Sequence, residues 1–335
     1  MAAGEPLIVL DAMGGDHAPA EPVRGAVLAA RELGIRVALV GRPEDVEREL
    51  ARHGPRPAGL EVVPAAEVIA MDEEPARAAF RKRDSSIAVG LRMLKEGRAD
   101  AFVSAGNTGA VMAAAIMQLN RIRGIERPTL VALMPVRGRL TVLLDVGANA
   151  DAKPHYLLQW AQMAVAYLER VWKVERPRVG LLNIGEEETK GNALAQEAHR
   201  LLRESGLNFV GNVEGRDITR GLADVIVTDG FTGNVVIKTM EGMAELIQDL
   251  LREAIASRWY YKLGALLLLP AFNQLRRRMD YREYGAGPLL GVDGLVFVAH
   301  GRSDALAIRS ALRVAREAVR SGMLDALREL SPARA

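Results

Sequence analysis

The chain has 335 residues, of which 49% are hydrophobic, 4% aromatic and none cysteine, and its formal charge is +2. That suffices for a sizeable core in one large domain, with room for two lobes around a cleft. The missing cysteine excludes disulfides, thiolate metal sites and a cysteine nucleophile, and no basic stripe interleaved with aromatics marks a nucleic-acid partner.

The start, MAAGEPLIVLDA, has neither a basic n-region nor a cleavage site, which predicts a cytoplasmic protein. Short β-branched runs then alternate with amphipathic patterns. Strand Leu7–Leu10 precedes helix Glu21–Leu33, strand Arg36–Val40 precedes helix Pro43–His53, and a third strand covers Leu60–Val63. Helix Ser86–Gly97, strand Ala101–Ser104 and helix Thr108–Arg121 follow. Strands Thr129–Met134 and Leu140–Asp145 flank PVRGRL, Pro135 to Leu140, which leaves no room for a helix and predicts a hairpin turn. Helix Pro154–Trp172, strand Arg178–Asn183, helix Asn192–Ser205 and strands Asn208–Gly211 and Val225–Thr228 continue the series. From Phe231 to Met279 the pattern is almost wholly helical, with breaks expected near Gly264 and Pro270. Strand Gly294–Ala299 and helix Ser303–Ser321 close the fold. Such alternation predicts a doubly wound three-layer α/β/α architecture on a mixed, mostly parallel sheet.

Five strand ends carry unusual loops: DAMGGDHAP from Asp11, SAGNTGA from Ser104, DVGANADAKP from Asp145, NIGEEETKGN from Asn183 and TDGFTGNVVIK from Thr228. Ligands of open α/β sheets bind beyond the carboxyl ends of the strands, so five such loops predict a shared cleft. None matches a Walker, Rossmann, zinc or nucleophile-elbow pattern, and no metal or cofactor is expected. What remains is glycine-flanked amides, asparagines and lysines. These hold a small oxyanion and polarise a carbonyl without a protein nucleophile. Only seven of the 44 basic residues are lysine, and Lys153, Lys190 and Lys238 lie in or just after these loops. Simpler roles stand beside these. Gly14-Gly15 could serve a tight turn, Asp16 could cap the next helix, and Asn107 could take a left-handed turn conformation. His17 and His300 could be structural hydrogen-bonders, and Lys238, one turn after Asn234, could be a solvated lysine.

Taken together these segments resemble the bacterial phosphate acyltransferase family (PlsX). DAMGGDHAP, EEPARAAFRKRDSS (Glu73 to Ser86), SAGNTGA, LLDVGANADAKP, LLNIGEEETKGN, FVGNVEGRD and VTDGFTGNVVIKTMEG look like its signatures, and the likeness runs from Ile8 to about Ser321. The chain departs from the family pattern at Gly301-Arg302-Ser303 and at Gly285-Ala286-Gly287. The resemblance implies a fold like the isocitrate and isopropylmalate dehydrogenases. It also implies transfer of a long-chain acyl group from acyl-carrier protein to orthophosphate, feeding phospholipid synthesis through phosphatidic acid. Further implications are a homodimer, peripheral contact with the inner membrane face, and a downstream membrane glycerol-3-phosphate acyltransferase as partner.

On this reading Lys190, Lys238, Asn234, Asp229 and His17 are the catalytic candidates. Gly14, Gly15, Asp16, Ser104, Gly106, Asn107, Thr108, Gly109, Asn149, Lys153, Asn183 and Gly233 are expected to bind substrate. Asp11 and Asp16 are expected to fix their loop and orient a lysine or asparagine, or one of them to accept a proton from phosphate. The rivals are an NAD-dependent dehydrogenase of the same fold, an acyl-CoA phosphotransacetylase and a non-catalytic membrane scaffold. The stretch Ser257 to Gly285 reads as a helical hairpin with a greasy tip at Leu266, Leu267, Leu268 and Leu269 and a cationic rim at Arg276 to Arg278. Its apolar run, Leu263 to Phe272, is half the ~20 residues of a membrane span. Its stems could pack on a second subunit, and its arginines could meet the acidic carrier protein.

Overall fold

A computed structural model describes residues 4–136, 139–278 and 281–330, without the side chains of 273–278 and 281. The first half runs β1 (Leu7–Asp11), α1 (Ala20–Leu33), β2 (Arg36–Gly41), α2 (Pro43–Ala51), β3 (Leu60–Pro64), α3 (Pro75–Arg81), α4 (Ser86–Lys95), β4 (Ala101–Ser104), α5 (Thr108–Leu119) and β5 (Thr129–Leu130). Then come β6 (Ala132–Val136), β7 (Arg139–Leu144), α6 (Pro154–Val171), β8 (Val179–Leu182), α7 (Ala193–Glu204), β9 (Phe209–Val213), α8 (Gly215–Ile218) and β10 (Val225–Val227). The chain ends with α9 (Gly230–Ala256), α10 (Trp259–Arg278), β11 (Ala286–Leu290), β12 (Val296–Ala299), α11 (Ala305–Arg320) and α12 (Met323–Glu329).

The strands divide between two sheets. Seven lie in the order β3-β2-β1-β4-β12-β11-β5 and five in the order β6-β7-β10-β8-β9. From β3 to β12 the larger sheet is parallel, and β11 is antiparallel to both its neighbours. In the smaller sheet only β6 runs against the rest. Alternation along β1 shows why these runs are strands: Ile8 and Leu10 enter one core, with α1 and α11, while Val9 enters another, with α4 and α5. A strand apolar on both faces has to lie between two helical layers. The first core continues into the smaller sheet through Val142, Leu144, Val225 and Val227, under α6 and α7.

Three sequence expectations change. Thr129–Met134 is not one strand: β5 belongs to the larger sheet and β6 to the smaller, and the chain crosses between them at Val131. Strand β11 escapes sequence reading because AGPLL carries a glycine and a proline, which mark loops as often as strands. The last helical stretch breaks at Ser257–Arg258 rather than at Gly264 or Pro270, both of which lie inside α10. Ser257 closes α9, its hydroxyl donating to Ala254 O at 2.7 Å. Pro270 removes one amide donor, but its leucine-rich neighbours are strong helix formers and sustain the helix. Leu266 to Leu269 therefore lie midway along α10 and not at the turn, and the hairpin is made by α9 with α10. The hairpin turn near Pro135 is present as the antiparallel β6–β7 pair, with Val136 opposite Arg139; Arg137 and Gly138 lie outside the described residues.

The crossing at Val131 depends on Gly287. A Cβ at that position would stand 1.9 Å from the Val131 carbonyl oxygen. Gly287→Ala must push β11 away from the crossing, and overpacking of this kind costs about 1–3 kcal/mol. The variant is expected to melt several degrees lower in differential scanning calorimetry, and an unchanged transition would show that the crossing can yield.

Candidate functional site

All the glycine-rich loops follow the carboxyl ends of parallel strands. In the larger sheet they follow β1, β4 and β12; in the smaller, β7, β8 and β10.

Asp11, the last residue of β1, is fully buried. Its Oδ1 accepts the Met13 amide at 3.0 Å and its Oδ2 accepts the Ser104 hydroxyl at 2.7 Å. Ser104 Oγ in turn accepts the Gly106 amide at 3.0 Å, so one carboxylate organises both loops. They press together at Gly14, where a Cβ would lie 2.5 Å from Asp11 Oδ2 and 2.6 Å from Gly106 N. Burial pushes the Asp11 carboxyl above its ordinary range, and hydroxyls of Ser86 and Ser104 with amides of Met13 and Gly14 pull it back only in part. Asp16 does not cap the next helix. The N-cap of α1 is Pro19, because the Asp16 amide is held by Gly301 O at 2.8 Å and the helix starts four residues later. The side chains of Asp16 and His17 are exposed and make no hydrogen bond among the described residues.

Asn107 caps α5, its Oδ1 accepting the Ala110 amide at 3.0 Å, and its φ of −55° is not left-handed. Its amide donates to the carbonyls of Met71 at 3.2 Å and Glu73 at 3.0 Å. Both ends of this side chain are therefore engaged in tying segment 70–73 to the β4–α5 loop. Ser104 is buried and likewise committed. By contrast the amides of Thr108 and Gly109, in the first turn of α5, have no acceptor among the described residues.

The smaller sheet repeats the plan. Asp145 follows β7, is fully buried, and accepts the amides of Leu130 at 3.1 Å, Ala148 at 3.0 Å and Asn149 at 2.6 Å. The Asn149 side-chain amide donates to Asp145 Oδ2 at 2.9 Å and Pro128 O at 2.8 Å. Burial raises the Asp145 carboxyl too, against the opposing donors of Asn149, Ala148 and Leu130. Helix α9 starts against this loop: Gly230 N donates to Asn149 O at 2.8 Å, and a Cβ on Gly233 would lie 1.9 Å from Asp145 O. Asp229 caps α9, with Oδ1 accepting the Thr232 amide at 2.9 Å and Oδ2 its hydroxyl at 2.7 Å. Asn234 is exposed across from Gly147, whose ideal Cβ would be 3.6 Å from Asn234 Oδ1.

The loop after β12 joins the two clusters. Gly301 O lies against Gly15 and accepts the Asp16 amide, while His300 Nε2 meets Glu241 Oε1 of α9 at 3.4 Å. Glu241 Oε2 also pairs with Lys238 at 3.0 Å, and Arg302 pairs with Glu245. Lys238, Asn234, His17, Gly15, Thr108 and Gly109 thus belong to one connected set of loops. The Asn183 loop is held elsewhere: Asn183 donates to Lys190 O at 3.1 Å, and Asn212 holds Glu187 O at 2.8 Å. No hydrogen bond among the described residues joins exposed Lys190 to the other loops, and Lys153 sits over the Tyr156 ring at 5.9 Å. A cavity of about 650 Å³ lined by Arg139, Arg176, Arg178 and Asp224 lies at the opposite, amino-terminal edge of the smaller sheet, away from these loops.

Sequence reading passed over Asp145, Gly230, Glu241 and Ser86. Asp145 carried a usable signal, since like Asp11 it is the first polar residue after a buried apolar run. Glu241 carried none, because its partner His300 is 59 residues away in sequence, from 241 to 300.

The sequence matches the family described as fatty acid synthesis protein over residues 7–326. A phosphate acyltransferase of Heliobacterium modesticaldum is 53% identical over 327 residues, covering 97% of each chain. Among solved structures, a phosphotransacetylase of Streptococcus pyogenes superposes with a TM-score of 0.65 at 18% identity, over 94% of each chain. A 4-hydroxythreonine-4-phosphate dehydrogenase of Klebsiella pneumoniae gives 0.54 at 12% identity, over 95% of this chain and 99% of its own. These two likenesses establish the dehydrogenase-like α/β/α fold.

The buried carboxylates have a pH signature. A carboxyl whose folded value lies above the ordinary 3.8 binds its proton more tightly on folding. Its contribution to stability is complete below 3.8 and is lost as pH rises through the folded value. Asp11→Asn removes one such titration, so the stability of wild type relative to the variant should fall as pH rises from acid to neutral in urea denaturation. Parallel pH profiles would show that burial does not govern Asp11.

Proposed function

We propose that this chain, which belongs to the fatty acid synthesis protein family of phosphate acyltransferases, transfers a long-chain acyl group from acyl-carrier protein to orthophosphate. The acyl phosphate formed feeds phospholipid synthesis by way of phosphatidic acid. A phosphate oxygen bonds to the thioester carbonyl carbon as the carbon–sulfur bond breaks. The thiolate leaves and takes up the proton released by phosphate.

The observation that carries the reading is the contrast between two helix entrances. The α5 entrance has a neutral cap, Asn107, and two amides without acceptors, Thr108 and Gly109. The α9 entrance is closed by the Asp229 carboxylate. Phosphate is favoured at the first and repelled at the second. Lys238 and Asn234 of α9 then face the thioester, whose carbonyl oxygen gains negative charge at the transition state. His17 and Asp16 rim the phosphate side, and Asp11 and Asp145 set the loops. Positioning supplies the larger share, up to about 7–11 kcal/mol for well-aligned reactants.

The assay is direct: labelled phosphate and acyl-carrier protein, with a chelator and no nucleotide, should yield acyl phosphate. Absence of product, or strict dependence on NAD, would end the reading. Lys238→Ala should lower turnover at least about a hundredfold with the fold intact, and Lys190→Ala less. Near-normal turnover of Lys238→Ala would move the carbonyl donor elsewhere.

The proposal extends to place and assembly: one catalytic domain of two lobes, cytoplasmic, dimeric and resting on the inner membrane face beside the downstream membrane acyltransferase. Its support is the α9–α10 hairpin. Met243, Leu246, Ile247, Leu250 and Leu251 line one exposed side of α9, and Leu267 of α10 is 82% exposed. Among the described residues no helix is long and apolar enough to cross a membrane. Stripes at i, i+3, i+4 spacing suit a second copy, and the Leu266 to Leu269 face suits lipid. Leu267→Glu with Leu268→Glu should release the enzyme from anionic vesicles in flotation while dimer mass persists. If binding survives, the anchor lies elsewhere; if the dimer dissociates, those leucines belong to the subunit interface.

A further inference from the structure

Helix α3 exposes a phenylalanine for which its own packing has no use. Ala78 and Ala79 turn inward, whereas Arg77, Phe80 and Arg81, at i, i+3 and i+4, share the outward face. Phe80 is 62% exposed, and the Arg83 guanidinium stands 5.5 Å from its ring centre. Arg77, Arg81 and Arg83 have no carboxylate partner among the described residues, although acidic groups lie close by. Those groups are largely occupied: Glu73 pairs with Lys82 at 2.6 Å, Glu74 caps α3, and Asp84 meets Arg92 at 3.3 Å. Among the described residues Asp72 makes no side-chain pair, and Glu74 meets only backbone amides. Three cations without a carboxylate partner around an exposed ring therefore outweigh the two carboxylates without a cation, Asp72 and Glu74.

The patch is mounted on the site. Asn107 holds the carbonyls of Met71 and Glu73 just ahead of α3, and a Cβ on Gly109 would lie 2.8 Å from Pro75. Met71, 44% exposed, also reaches Gly301 of the β12 loop. A partner seated on α3 is thus one helix width from the amides of Thr108 and Gly109.

We propose that the outward face of α3, with Arg77, Phe80, Arg81 and Arg83, docks the acidic carrier protein that delivers the acyl thioester; this rests on the functional reading above. Arginine and aromatic residues dominate interface anchors, and an acidic partner complements unpaired guanidinium groups. The ring of Phe80 packs on the partner's apolar surface while the arginines set its orientation.

Steady-state kinetics with two donors test this: acyl-carrier protein, and a small acyl thioester of N-acetylcysteamine that has no protein to dock. Arg77→Glu with Arg81→Glu should raise KM for the carrier protein at least about tenfold, leave kcat nearly unchanged and flatten its salt dependence. Phe80→Ala should raise KM as well, and neither change should alter turnover of the small thioester. Arg123→Glu, an exposed arginine in the turn beyond the far end of α5, should leave both donors unaffected. An unchanged carrier-protein KM, or equal losses with both donors, would overturn the docking face. If wild type used acyl-CoA but not acyl-carrier protein, the functional reading itself would fall, and docking with it.

Discussion

A carboxylate buried at the end of a central strand must be surrounded by donors, because it has left water behind. Asp11 and Asp145 each meet this condition by drawing loop amides and neighbouring side chains around themselves. The loops take their shape from that demand. Glycines are needed where two loops close on one carboxylate, as at Gly14, or where a helix is driven against it, as at Gly230. The negative charges of Asp11 and Asp145 thus belong to the foundation of the site, beneath the exposed Asp16 and His17.

This division explains how much the chain disclosed unaided. Layering, strand positions and the set of loops were legible because β-branched runs and glycine-rich turns are local signals. The split of Thr129–Met134 was not, since nothing in TLVALM says that a strand changes sheets; Gly287, 156 residues beyond Val131 in sequence, makes room for it. The asparagines were legible as important and illegible in function. Asn107 and Asn149 have the same chemistry whether they face a ligand or tie loops, and only distances show the second. Lys190 and Lys238 looked alike in their loops, yet one is connected to the β12 loop through Glu241 and the other is held apart with the Asn183 loop.

The hairpin posed a different difficulty. Ser257 to Gly285 carries aromatics, leucines, a proline and arginines, a composition that fits a tip as well as a stem. The turn between its helices is set by Ser257, which no hydropathy pattern singles out. Leucines in water are stable neighbours only when something covers them, and their row continues along α9, the same helix that carries Lys238 in its third turn.

Mechanically, α9 is a cantilever. It is clamped from Gly230 to Glu245 and overhangs from Leu246 to Ala256, about 16 Å at helical rise. Load on the overhang is carried back to the clamp, whose outer fastenings are the pairs of Glu245 with Arg302 and Glu241 with His300. Exposed contacts of this kind, screened by solvent, hold only weakly. The inner fastening, Gly233 lodged against the Asp145 carbonyl, is a steric contact with no slack. A grip on the hairpin is therefore felt first at the loop after β12, which borders Gly15 and Asp16, and last at the loop of Asp145.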